Sequence, residues 1–222
     1  MSSPLAVPVP FLLQIPGSTV EEIAILCVAI LVAVTVSAES QGFAATFLGD
    51  LQQGGGKRFH FNAFLHLSPL GTLCFFIAGF GWAKEVEVDV TRFKHPRFYL
   101  MLSRLAGPLG NFLMASIAAS LVWMLGEFGW EDKVFSGLIV VNMMMAVYGL
   151  FFIPPLPGAA ILSVILPDTR FWRSVMNYMR IAGPLLLIGA FLLMRFQHWD
   201  LSHFAVNSIV RDGCVFLQSF AL

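Results

Sequence analysis

The chain has 222 residues, 58% of them hydrophobic and 12% charged, with a mean hydropathy of +0.80. That balance excludes an ordinary soluble domain and indicates a polytopic membrane protein with one domain in the bilayer. Thirteen Lys and Arg offset thirteen Asp and Glu, which excludes a nucleic-acid partner, because phosphate-backbone binding needs a clustered basic surface.

The start of the chain holds Pro4, Pro8, Pro10 and Pro16 and no cation. It has neither the basic opening nor the unbroken helix of a signal peptide, and 1–18 reads as an amino-terminal arm. A membrane domain is expected over 19–196 and an interfacial tail over 197–222. Ser18 stands three residues before Glu21, a capping-box spacing with acidic charge on the positive end of the dipole, so a first helix is expected over 19–48. Its apolar run from Ile23 to Val36, continued to Leu48, is long enough for a hydrocarbon core of roughly 30 Å. From Ser37 to Gly42 the same helix turns polar at membrane depth, where every polar group needs a partner.

Residues 50–62 form a polar, glycine-rich break, and Phe59 to Asn62 alternates like a short strand. Leu65 to Ala83 is apolar and long enough to span, but Pro69, Gly71, Gly79 and Gly81 interrupt it. A re-entrant segment puts Lys57, Arg58, Lys84, Arg92, Lys94, Arg97, Arg170, Arg173 and Arg180 on one side, against Lys133, Arg195 and Arg211 on the other. Nine cations against three satisfies the positive-inside rule with the amino terminus outside. Arg104 lies inside the next helix and is set aside from that count.

That next helix is expected from Pro96 to Phe128, with small residues such as Ala106, Gly107, Gly110 and Ala115 that let a neighbour approach closely in lipid. A span over Val134 to Phe152 follows, then a proline-rich turn, a short helix over Ala159 to Leu166, and a span from Trp172 to Leu193 with a kink at Gly183 and Pro184. The fold class is therefore an all-α polytopic membrane protein with four full transmembrane helices and a re-entrant or short fifth hydrophobic segment.

The five histidines, His60, His66, His95, His198 and His203, are never within four residues of one another. They cannot form the helical pair that presents two imidazoles to one zinc. Cys27, Cys74 and Cys214 are isolated thiols that read as packing residues. The Met143, Met144 and Met145 run reads the same way.

Several motifs nevertheless occur in a telling order. Phe43 to Asp50, ending Leu48-Gly49-Asp50, resembles the end of the first catalytic helix of the site-2 protease family of intramembrane zinc metalloproteases. Asn62 to Thr72 is similar to that family's N-P-L-x-H-x-D-P-L-G-T segment, with Ala63 and Ser68 among the departures. Ala78 to Lys84 matches A-G-F-G-W-A-K, Ala106 to Asn111 matches A-G-P-x-x-N, and Ile153 to Gly158 is similar to I-P-P-L-D-G.

The resemblance implies a site-2-protease-like core and places the two zinc histidines on Ser37 and Gln41 and the general base on Ala38. It places the ligand aspartate on Pro157 and an upstream asparagine on Gly149. Ser37, Ala38, Gln41, Gly149 and Pro157 thus stand as degenerate active-site positions, and the expectation is that the chain is not an enzyme. No catalytic residue, no metal ligand and no cofactor are expected, with zinc absent and a bound lipid, quinone or pigment left open. Glu39 sits one residue, and so about 100°, away from the position of the base. It is expected to pair with Arg58 or Arg104, or to serve a partner.

The function expected from this set is a pseudoprotease that serves as a structural or interaction subunit and docks transmembrane helices of a larger membrane complex. Glu39, Ser40, Gly107, Asn111 and Gly158 are the candidate docking residues. A small carrier or lipophilic-cofactor binder that reuses the former active-site cavity is the alternative, and an active intramembrane protease is the third reading. Partners are expected to be membrane proteins and lipid, in a bacterial inner membrane.

Overall fold

The computed structural model describes residues 19–50, 62–78, 81–130 and 132–196, together with 212, 213, 215, 216 and 219 of the tail. Its elements are α1 (Val20–Phe47), α2 (Ala63–His66), α3 (Pro69–Ala78), α4 (Pro96–Glu127), α5 (Val134–Tyr148), α6 (Ala160–Ile165) and α7 (Arg170–Phe196). Single 3₁₀ turns lie at Val90–Arg92 and Pro157–Ala159. Among the described residues there is no strand, only one isolated bridge between Leu67 and Ala83. The arm at 1–18, the strand expected at Phe59 to Asn62 apart from Asn62 itself, and most of the tail lie outside the described residues.

α1 starts one residue later than the sequence suggests, because Thr19 rather than Ser18 is its cap. The Thr19 hydroxyl accepts from the Glu22 amide at 3.3 Å, and the Glu22 carboxylate accepts from the Thr19 amide at 2.9 Å. Two orphan donors are satisfied reciprocally. Among the described residues α1 and α4 are the two helices long and apolar enough to cross a membrane, at 28 and 32 residues, and α5 is a shorter apolar helix. Two helices of spanning length and one shorter apolar helix thus stand, among the described residues, where the sequence suggests four spans.

α1, α4 and α5 pack on one another and form the core. The buried stripe of α1 includes Ala29, Ala33, Ser37, Gln41 and Ala45, and that of α4 includes Ser103, Gly107, Asn111, Ala115 and Ala119. Both stripes repeat every four residues. Small side chains at that spacing bring two backbones close, which is how helices associate where lipid removes the hydrophobic drive. α5 is buried nearly all round, Met143, Met144 and Met145 included, as befits a central helix.

The 65–83 segment turns back on itself. α3 has ten residues, about 15 Å of helix against a core of roughly 30 Å. The Lys84 amide donates to the His66 carbonyl at 2.7 Å, so the segment leaves where it came in. Gly71 and Gly81 make this closure fit: a Cβ on Gly81 would stand 2.1 Å from the Gly71 carbonyl oxygen. On the return, the Asp89 carboxylate accepts from the Thr91 hydroxyl and amide. Those hydrogen bonds hold the Asp89 carboxyl below its ordinary range.

Charges collect at the ends. Lys133 pairs with Glu21 at 3.6 Å at one end, while Asp168 at the other takes both Arg97 and Arg173 at 2.9 Å. These pairs are exposed, and each is worth no more than about 1 kcal/mol.

Candidate functional site

The polar stretch of α1 meets the first half of α4. There Ser103 donates its hydroxyl to the Gln41 carbonyl at 3.1 Å, and the Gln41 amide nitrogen donates to the Ser37 hydroxyl at 3.5 Å. Arg104 enters the same junction. Its guanidinium donates to Gln41 Oε1 at 3.0 Å and to Glu85 Oε1 at 2.8 Å, and only 11% of its side chain is exposed. A cation inside an apolar helix persists when its donors are satisfied this way.

A cavity of about 120 Å³ opens beside this junction, with Ser37, Gln41, Gly149 and Pro157 all in its wall. Four of the five positions singled out in the sequence are therefore neighbours. The fifth, Ala38, is buried next to them on α1. The Gly158 amide donates to the Gly149 carbonyl at 2.7 Å, which ties the end of α5 to the turn before α6. The return of the hairpin, 81–85, supplies the opposite wall, and Arg180 of α7 reaches it from the side.

The residues expected to dock a partner sit inside the chain's own helix packing. A Cβ on Gly107 would stand 2.8 Å from Ser37 Oγ and Gln41 Nε2, and one on Gly110 would stand 2.0 Å from Ser40 Oγ. A Cβ on Gly158 would meet the Leu150 carbonyl oxygen at 2.2 Å. Glu39 points to the hairpin, where it contacts His66 at 3.0 Å. The expected pairing of Glu39 with Arg104 is therefore corrected, since Arg104 takes Glu85 instead; Arg58 lies outside the described residues. Asn111 is fully buried, and among the described residues neither its amide nitrogen nor its oxygen finds a hydrogen-bond partner.

Sequence reasoning named Arg104 only as a partner for Glu39, counted Arg180 only as a loop cation, and passed over Glu85. The signal was available for Arg104, because a charge in the middle of an apolar helix marks a function or a pairing.

A second feature lies along the α4–α5 pair, away from α1. Leu105, Pro108, Leu109 and Phe112 face Met143, Ala146, Val147 and Leu150 across an apolar groove of about 400 Å³. Each set follows the i, i+3, i+4, i+7 rule of a helix face. Gly213 and Phe216 of the tail border the groove.

The chain is 30% identical over 151 residues to the protein named putative zinc metalloprotease YwhC of Bacillus subtilis (strain 168), an alignment covering 64% of this chain and 69% of that one. The chain belongs to the site-2-protease-like family. No family model matches it, and no solved structure gives a significant match. Membership in this family, with two apolar helices of spanning length, makes it a membrane protein. The expectation that the chain is not an enzyme is overturned here, because its relative in the family carries the name of a zinc metalloprotease, which points to a protease.

The family implies a zinc ion, and the side chains at this cavity do not fit one. A catalytic zinc takes three ligands, commonly imidazoles and a carboxylate, whereas this cavity offers a hydroxyl, an amide and a proline at the corresponding positions. The Gln41 oxygen already accepts from the Arg104 guanidinium, whose charge repels a divalent cation. Among the described residues no group of three His, Cys, Asp or Glu is placed to hold a metal.

Proposed function

We propose that this member of the family is a docking subunit, which receives a transmembrane segment of a partner membrane protein in the α4–α5 groove. The observation that carries the reading is the pair of facing helical stripes around 400 Å³ of apolar space. Two such stripes side by side form the socket into which the apolar face of a third helix fits. Leu109 is 58% exposed and Leu150 49%, so the socket is open. The small residues of α1 and α4 are used in their own contact, so the partner is placed in this groove and not at the α1–α4 seam. We further propose that α5 and α7 complete four spans around the re-entrant hairpin, in a bacterial inner membrane with the amino terminus outside. The arm, the membrane domain over 19–196 and the tail keep the limits set out above.

A photoreactive side chain at Leu109 or Leu150 tests the docking, with Ile117 as the control, since it is 56% exposed on the same helix but outside the groove. The reading expects a discrete membrane-protein adduct from both groove positions and none from Ile117. It fails if the groove positions give no adduct or all three give the same one.

Cleavage of the docked segment is a second reading, supported by the relative's name alone. Incubating the purified chain with the captured partner, with and without a chelator, tests it: two chelator-sensitive fragments support cleavage, and an intact partner refutes it.

A further inference from the structure

We infer that the polar cavity between α1, α4, α7 and the hairpin return binds a phosphate group. Lys84, Arg104 and Arg180 line it together with one carboxylate, Glu85, an excess of two positive charges around one small space. Glu85 is already engaged by Arg104 at 2.8 Å. Arg180 lies within Coulombic reach of Arg104. Neither Arg180 nor Lys84 makes an ion pair among the described residues. Like charges gathered round one cleft repel one another until an anion enters.

Size and depth select the anion. A cavity of about 120 Å³ has room for a small tetrahedral anion and is far too small for a helix about 10 Å across. Guanidinium groups present planar donor forks that match phosphate oxygens. Gln41 lies six residues before the end of α1 at Phe47, about 9 Å along the axis. The same end of the molecule carries Arg97, Arg173 and Asp168, so the cavity opens within about two turns of the end that the positive-inside rule assigns to the cytoplasmic headgroups. Basic pockets between transmembrane helices at this level take anionic headgroups. Leu100 and Met176 in the wall offer an apolar start for an acyl chain.

The phosphate has two sources, an anionic lipid or the free ion. The full-length protein, stripped of lipid in detergent, is titrated with dihexanoyl phosphatidylglycerol, dihexanoyl phosphatidylcholine and inorganic phosphate, and bound ligand is counted by native mass spectrometry. One phosphatidylglycerol per chain, held about ten-fold more tightly than phosphatidylcholine, is expected for one net charge-assisted contact from Arg180. Arg180→Gln should remove about that preference, and Arg180→Lys should keep most of it. Arg180 is exposed, and unchanged thermal unfolding of the variants verifies that they fold. Binding of inorganic phosphate with the same Arg180 dependence supports the site and identifies the free ion as its ligand. Equal binding of the two lipids that Arg180→Gln leaves unchanged, no binding of either lipid or of inorganic phosphate, or an Arg180→Gln variant that binds like the parent, overturns the inference.

Discussion

Arg104 and Asn111 lie two turns apart on one face of α4 and show two fates of a polar side chain in an apolar helix. The Arg104 guanidinium has an amide oxygen and a carboxylate within 3.0 Å, so its charge is spread over partners instead of being buried bare. Asn111 has full burial and, among the described residues, no side-chain hydrogen bond. A buried amide without partners costs about 1–3 kcal/mol, and an apolar side chain of similar shape removes that cost. Asn111→Leu is therefore expected to stabilise the protein by about that amount, read as a higher unfolding temperature in detergent. An unchanged or lower temperature would mean that the amide has a partner after all. The sequence marked Asn111 through the A-G-P-x-x-N match and marked Ser37 and Gln41 through their spacing before Leu48-Gly49-Asp50. It could not show that Arg104 turns onto Gln41, since that contact joins residues 63 apart in the chain.

Helix contacts in this fold are set by what the facing backbones allow. Gly183 illustrates the point: the sequence presents Gly183-Pro184 as a kink, whereas in the structure the glycine faces the turn before α6. A Cβ on Gly183 would lie 1.9 Å from the Pro154 carbonyl oxygen, a backbone atom that cannot step aside. A Cβ on Gly107 would meet the ends of the Ser37 and Gln41 side chains at 2.8 Å, which can rotate at the expense of their hydrogen bonds. Gly107→Ala is thus expected to cost about 1–3 kcal/mol, the range for overpacking, and Gly183→Ala more than that. Thermal unfolding of the two variants compares them directly, and a milder effect at Gly183 would refute the close approach of α7 to the turn. The re-entrant shape of 65–83 was legible from its glycines and from the balance of loop cations. The closure itself, through Gly71 against Gly81 and Lys84 onto His66, was not, because sequence spacing carries no information on which backbones touch.

At the scale of the molecule, α1, α4 and α5 form a core whose two ends differ in charge, with Glu21 and Lys133 at one and Arg97, Asp168 and Arg173 at the other. If the second end faces the cytoplasm, as the positive-inside rule requires, a cysteine placed at Glu22 in a chain freed of its own thiols reacts with a membrane-impermeant maleimide in intact cells. One placed at Asp168 does not react until the membrane is opened. The reverse pattern would invert the topology. The central claim concerns the junction between the two ends, where a guanidinium and an amide occupy the place in which the family resemblance puts a metal. Its most direct measurement is the metal content of the purified protein after exposure to excess zinc and gel filtration. The account predicts well under one zinc per chain; one tightly held zinc per chain that Gln41→Ala removes would contradict it.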